Sequence, residues 1–173
     1  MTFYLAGHET TSQALTWTFY LLSQHPEVEA RLHAEIDRVL GDRLPGFDDV
    51  DALVYTEKVL RESMRLFPPV YSLARKAGRD TQIGGYSVPA GSEVALWIYF
   101  SHHDLRWFPD PERFNPDRFD EATYPRHAYV PFGSGARTCV GKTFATMEAV
   151  LLLATLAGRW RLRLDSDQEI GLK

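Results

Sequence analysis

Apolar residues recur at helical spacing through the first third of the chain and again near its end, with a strand-like stretch between. Residues 1–24, MTFYLAGHETTSQALTWTFYLLSQ, are apolar at both ends and polar in the middle, as in a helix bearing a polar patch. His25-Pro26 interrupts that run, and Pro26 suits the first position of a new helix with Glu27 and Glu29 in its opening turn. Val28, Leu32, Ile36 and Val39 then keep helical spacing until Gly41 stops the helix. The pairs Glu27–Arg31 and Arg31–Glu35 predict a solvated outer face. A turn-rich linker over 42–51 leads to a third helix from about Tyr55 to Phe67, closed by Pro68-Pro69.

From Ser72 to Ile98 the period becomes that of strands. Thr81–Ile83 and Tyr86–Val88 flank Gly84-Gly85 as a tight hairpin, and Glu93 to Ile98 reads as a further strand. Residues 106–131 are dense in Pro, Phe, Asp and Arg without any period, which predicts an irregular but packed meander. Residues 140–157 form the last strong helical pattern, and Trp160 to Leu164 alternate like an edge strand. No internal repeat or low-complexity segment interrupts this order.

Composition narrows the class without naming it. With 173 residues, 45% of them hydrophobic, the chain can build the core of one domain. A net charge of −4, from 19 basic and 23 acidic side chains, gives no sign of a nucleic-acid binder. A single cysteine excludes an internal disulfide, and no secretory leader or membrane-length apolar run is present, so a cytoplasmic location is expected.

Three clusters carry the chemistry. Residues 132–141, FGSGARTCVG, set Cys139 where a glycine-rich loop meets the last helix. A thiolate there is favoured by the helix dipole and by unpaired backbone N–H groups. Gly133, Gly135 and Gly141 let the backbone pass close under something flat and bulky, and Arg137 offers a guanidinium to carboxylates at its edge. A lone cysteine is more often a small buried apolar residue, and a cysteine nucleophile would want a His or Asn pattern that is missing here. The second cluster, Ala6-Gly7-His8-Glu9-Thr10-Thr11, predicts a kink or loosened turn inside its helix. It reads either as a helix end at Gly7 with Thr10 and Gln13 capping the next, or as an acid–alcohol pair able to pass protons. The third, Glu62 and Arg65 in LRESMRLFPP, is at least a surface i,i+3 ion pair. Adjacent His102 and His103 read as structural, because on an extended segment they point to opposite sides.

Residues 132–141 fill every specified position of F-x-x-G-x-R-x-C-x-G, the loop of the cytochrome P-450 superfamily, which the chain resembles along its whole length. The order of the acid–alcohol patch, E-x-x-R helix, meander and cysteine loop matches that family. The resemblance implies a mainly α fold with small β-sheets, residues 1–173 forming the C-terminal part of the cytochrome P-450 fold. It implies haem b with Cys139 as the proximal iron ligand, Phe132, Gly133 and Gly141 shaping its cradle, and Arg137 and Arg75 on the propionates. His127 is a weaker propionate candidate. Glu9 and Thr10 would deliver protons on the oxygen side, and residues 70–73 would border a substrate pocket. Glu62 and Arg65 would take a third member from the meander, Arg113 in PERF or Arg118 in PDRF. Arg118 is favoured as the copy nearer the cysteine loop, the triad locking that loop in place.

The activity so implied is a monooxygenase inserting one oxygen atom of O2 into a hydrophobic small molecule. Electrons would come from NAD(P)H through a ferredoxin or flavoprotein reductase docking near Arg137 and Lys142. A complete member is well over twice this length, and the chain starts inside the acid–alcohol helix. The isolated chain is therefore expected to be inactive, or to be a non-enzymatic remnant with or without haem.

Overall fold

The structure is a computed structural model that describes residues 2–120 and 124–165. Helices dominate it: α1 (Thr2–Gln24), α2 (Pro26–Leu40), α3 (Val54–Leu66), the short α4 (Ile98–His102) and α5 (Lys142–Ala157). Two antiparallel two-stranded sheets complete the fold, β1 (Ser72–Lys76) on β4 (Glu93–Trp97), and the hairpin β2 (Thr81–Ile83) on β3 (Tyr86–Val88). Among the described residues no helix is long and apolar enough to cross a membrane.

The core lies where α1, α2, α3 and α5 meet. Leu15 and Leu22 of α1, Leu32 and Ile36 of α2, Val59 and Leu60 of α3, and Val150 and Leu153 of α5 are all buried together. The named residues are seven apart on α1, four on α2 and three on α5, and on α3 Leu60 is joined by Met64 four residues on, so one face of each helix is turned to the core. Trp17 of α1 stacks on Phe67 just beyond α3, ring centroids 4.3 Å apart, which seals the end of that junction.

Several local expectations are corrected by polar contacts that adjacent residues cannot reveal. The helix α1 runs unbroken through Gly7. Thr10, Thr16 and Thr18 each donate their hydroxyls to the carbonyl four residues earlier, at 2.7–2.8 Å, so the polar patch is satisfied inside the helix without ending it. On α2 the expected Glu27–Arg31 and Arg31–Glu35 pairs are replaced, and the neighbouring pairs that form are Glu29–His33 at 3.9 Å and Glu35–Arg38 at 3.8 Å. Arg31 reaches across to Asp117 with two bonds of 2.7 and 2.8 Å and lies over the Tyr55 ring. Glu35 is buried instead, accepting from the Tyr55 and Thr56 amides at 2.8 Å and from the Thr56 hydroxyl at 2.9 Å. It acts as an N-terminal cap for α3 donated by another helix.

Residues 160–164 form no strand. The segment is held instead by Arg163, whose guanidinium grips Glu29 of α2 at 2.7 and 2.8 Å. That hydrogen-bonded charge holds the Glu29 carboxyl below its usual range against the opposing effect of burial. The last strand stops at Trp97, because Ile98 already begins α4, and α5 starts at Lys142 after the two residues that follow Cys139. Strand β1 had no alternating signal of its own; pairing with β4, Leu73 opposite Leu96 and Arg75 opposite Val94, makes it a strand.

Candidate functional site

The loop carrying Cys139 is shaped by its own backbone. Gly133 and Gly135 hold φ of +71° and +74°, left-handed conformations that residues with a side chain rarely adopt. The Gly133 amide donates to the Val130 carbonyl at 2.9 Å, and the Cys139 amide donates to the Phe132 carbonyl at 2.9 Å. The Gly135 carbonyl accepts from both the Thr138 amide and the Thr138 hydroxyl, at 3.1 and 2.8 Å. Cys139 leaves this turn as a free, exposed thiol just ahead of α5.

The positive φ at Gly133 is what calls for glycine there, and van der Waals neighbours show what lies beside Gly133 and Gly141. A Cβ at Gly141 would stand 3.9 Å from the Cys139 Sγ, so the missing side chain keeps one flank of the sulfur clear. A Cβ at Gly133 would stand 3.4 Å from Leu73 Cδ1, so strand β1 presses directly on the loop. Leu73 and Arg75 lie two apart on β1 and share a face, which carries Arg75 to the loop's side of that sheet.

Arg75 is exposed, its Nη1 donating to the Ala74 carbonyl at 2.8 Å, and Arg137 is exposed within the loop. Neither is paired with a carboxylate among the described residues. His127 lies exposed in the turn ahead of the loop, while Phe132 packs half-buried against the helical core and pins the loop's start.

Behind the loop sits a buried ionic triad. Glu62 and Arg65 are both fully buried on one face of α3, with Arg65 Nε donating to Glu62 Oε2 at 2.9 Å and Nη2 to Oε1 at 3.0 Å. Arg118 Nε donates to Glu62 Oε1 at 2.8 Å, so the third member is Arg118. Arg113 contributes only its carbonyl, which accepts from Arg65 and from Arg118 at 3.4 and 3.2 Å. Further bonds from the two guanidiniums reach the carbonyls of Pro111, Pro109 and Asp110, fastening the meander to α3.

One residue links triad and loop, through its backbone on one side and its ring on the other. The His102 carbonyl accepts from Arg65 Nη1 at 2.9 Å, and its ring Nε2 accepts from the Val130 amide at 2.9 Å. His102 and His103 stand at the end of α4 and just past it, not on an extended segment, and His102 is fully buried. Burial, reinforced by the Arg65 charge, pulls the His102 pKa down to about 3.

On α1, Glu9 is exposed and Thr10 half-buried, and Thr10 Oγ1 donates to the Ala6 carbonyl at 2.7 Å. No hydrogen bond or ion pair among the described residues joins Glu9 or Thr10 to residues 132–141. A Cβ at Gly7 would meet nothing within 4 Å, leaving open space beside that turn. No group of three or more His, Cys, Asp and Glu side chains is arranged to hold a metal ion among the described residues. The sequence set Glu35 on a solvated face, Leu73 at a pocket border and His102 among structural residues, but the contacts each makes, with the start of α3, with the loop at Gly133 and with the Val130 amide, lay outside its reach. The only trace of the last was a pair of adjacent histidines, which says nothing about which ring is buried.

Comparison with known proteins follows the same lines. The family model described as Cytochrome P450 matches residues 1–173. The chain is 47% identical over 168 residues to cyclooctatin synthase of Streptomyces melanosporofaciens, covering 94% of this chain and 36% of that protein. It is 46% identical over 166 residues to cyclooctat-9-en-7-ol 5-monooxygenase of the same organism, with 94% and 36% covered. Pentalenene oxygenase of Streptomyces avermitilis is 38% identical over 168 residues, with 95% and 37% covered. The chain spans a little over a third of the length of these curated relatives.

Proposed function

Because the chain belongs to the cytochrome P450 family, we propose that it carries the thiolate side and the proton-handling helix of a haem-thiolate monooxygenase. The substrate proposed is a hydrophobic small molecule, in keeping with relatives named for oxygenating pentalenene and cyclooctat-9-en-7-ol. The observation that carries this reading is the exposed Cys139 thiol held by left-handed glycines, with Gly141 leaving the sulfur's flank clear.

The donor set suits haem b. Cys139 offers one thiolate, and the two exposed guanidiniums of Arg75 and Arg137 offer charge-assisted hydrogen bonds to two carboxylates. His127 is a further candidate for the same edge. When bound, such a group activates O2, delivering one oxygen atom to a C–H or C=C bond and the other to water with two electrons and two protons.

The protein's own part is positional. Phe132 and the turn bonds hold the thiol in place, and the fixed backbone spares the ligand the entropy of being ordered on binding. Thr10 keeps oxygen lone pairs free while its proton rests on the Ala6 carbonyl, so it can accept a hydrogen bond from water and turn to pass a proton on. Glu9, exposed one residue earlier, would exchange protons with solvent. Electrons from NAD(P)H would enter through a ferredoxin or flavoprotein reductase whose acidic face meets Arg137 and Lys142.

The test uses the full natural polypeptide containing these residues, loaded with haem, reduced and exposed to carbon monoxide. A strongly red-shifted Soret band is expected, and Cys139→Ser should abolish it. A wild-type protein without that band would refute thiolate ligation, and a serine variant that keeps it would remove Cys139 as the ligand. Thr10→Ala should divert more of the delivered electrons into hydrogen peroxide, with Thr10→Ser restoring the coupling. An unchanged peroxide yield would take Thr10 out of the proton path.

A further inference from the structure

We propose that His102 is a positioning residue for the cysteine loop: its ring acceptor fixes the Val130 amide, and with it the turn that presents Cys139. The inference rests on the haem-thiolate reading above for what the loop presents, and on geometry for how the loop is held. His102 is fully buried, and its two polar ends face different parts of the fold. The carbonyl accepts from Arg65 at 2.9 Å, on the triad's side, and Nε2 accepts from the Val130 amide at 2.9 Å, on the loop's side. An amide can only donate, so Nε2 must be bare and the neutral ring must carry its proton on Nδ1.

Val130 is where the turn begins. Its carbonyl accepts from Gly133, and the Phe132 carbonyl two residues on accepts from the Cys139 amide. The peptide planes on both sides of Val130 are therefore tied, one to His102 and one to the loop. The next ring, Tyr129, lies 5.0 Å from the imidazole, and its hydroxyl donates to the Arg61 carbonyl at 2.9 Å, so the segment is held from α3 as well.

The charge environment keeps the acceptor intact. The groups facing the imidazole are Arg65 of α3, His103 beyond α4 and the Tyr129 phenol, with Arg61 behind that phenol and Glu62 already bonded to Arg65. A proton on Nε2 would set N–H against N–H and add a cation beside Arg65. Burial and Arg65 together disfavour it.

The test compares His102→Phe, which keeps a ring against Tyr129 but has no acceptor, with His102→Gln, whose carbonyl can reach Val130. Both are made in the full natural polypeptide loaded with haem. His102→Phe should lower the ratio of red-shifted to ordinary reduced carbon monoxide complex about tenfold, the scale expected when a buried N–H loses its acceptor. Hydrogen exchange should speed up at Val130 and Gly133 while α2 and α3 keep their protection, and His102→Gln should recover the ratio to within about twofold. A phenylalanine variant with wild-type band ratio and wild-type Val130 protection would overturn the proposal. So would equal losses in both variants, or lost protection spread through the helices. If the wild type itself lacks the red-shifted band, the haem-thiolate reading fails, and Val130 exchange still decides whether His102 holds the loop.

Discussion

Glu62→Ala should cost about 3–5 kcal/mol of folding stability, the range for breaking a buried ion pair by removing one partner. The reason is how completely the carboxylate is used. Its two oxygens accept from Arg65 Nε, Arg65 Nη2, Arg118 Nε and the Asn115 amide, all within 2.8–3.0 Å. Removing it leaves two guanidiniums, one of them fully buried, beside carbonyls that cannot neutralise them. A domain's whole stability is about 5–15 kcal/mol, so the variant should sit near the threshold of folding. Denaturant titration of the natural polypeptide checks this, and a loss under about 1 kcal/mol would contradict the buried-charge account. Glu62→Met combined with Arg65→Met should be less damaging than the two single losses summed, because the fully buried pair is removed together and only Arg118 is left without its acid.

The second large effect is expected on mild acidification. His102 falls from an ordinary 6.5 to about 3 in the folded chain, so the unfolded state takes up its proton first. Its contribution is fully present above about pH 6.5 and is lost as pH falls from there toward the folded value. Between about pH 6.5 and 4.5 that amounts to on the order of 2–3 kcal/mol, at 1.36 kcal/mol for each unit of pKa displacement. Glu29 and Asp117 are held low by Arg163 and Arg31, and their contributions fade only below the ordinary carboxylate range. His33, lowered mainly by burial, adds a smaller slope of the same sign in the upper window. Denaturant midpoints measured across that window should fall steeply for the wild type and be nearly flat from this source in His102→Gln. Equal slopes in the two proteins would show that the imidazole titrates normally.

These two effects also mark what the sequence could and could not reveal. Helices α2 and α3 were legible because burying one face imposes a short-range period that a linear pattern displays, whereas α5 was legible as an apolar run, Phe144 and Leu152 standing exposed on its far side. The E-x-x-R spacing and the cysteine loop were legible because their chemistry is written in a few adjacent residues. The partner of Glu62 was narrowed to two arginines, and only packing of the meander against α3 makes it Arg118. Arg31, Glu35 and Arg163 resisted reading for a different reason. Their partners lie 86, 20–21 and 134 residues away, and a charged side chain on an amphipathic helix looks the same whether it meets water or another element. The supposed strand at 160–164 failed likewise: alternation describes a half-buried segment, but a strand also needs an edge to pair with. His102 was hidden by its own duplication, since one ring of the adjacent pair is buried and the other lies beyond the helix end.

Glu62 and Arg118 are separated by 56 positions, and synthesis runs in one direction. At the usual pace of translation, roughly 3–11 s pass between the appearance of the acid and that of its second base. Throughout that interval Glu62 and Arg65 lack the partner that completes their network, so the segment that becomes α3 stays hydrated and cannot be sealed into the domain. Cys139 is made later still. The nascent chain can therefore close the charged face of α3 before the sulfur arrives, whereas α5, which completes the helical core, is made only after Cys139 and seals the loop from behind.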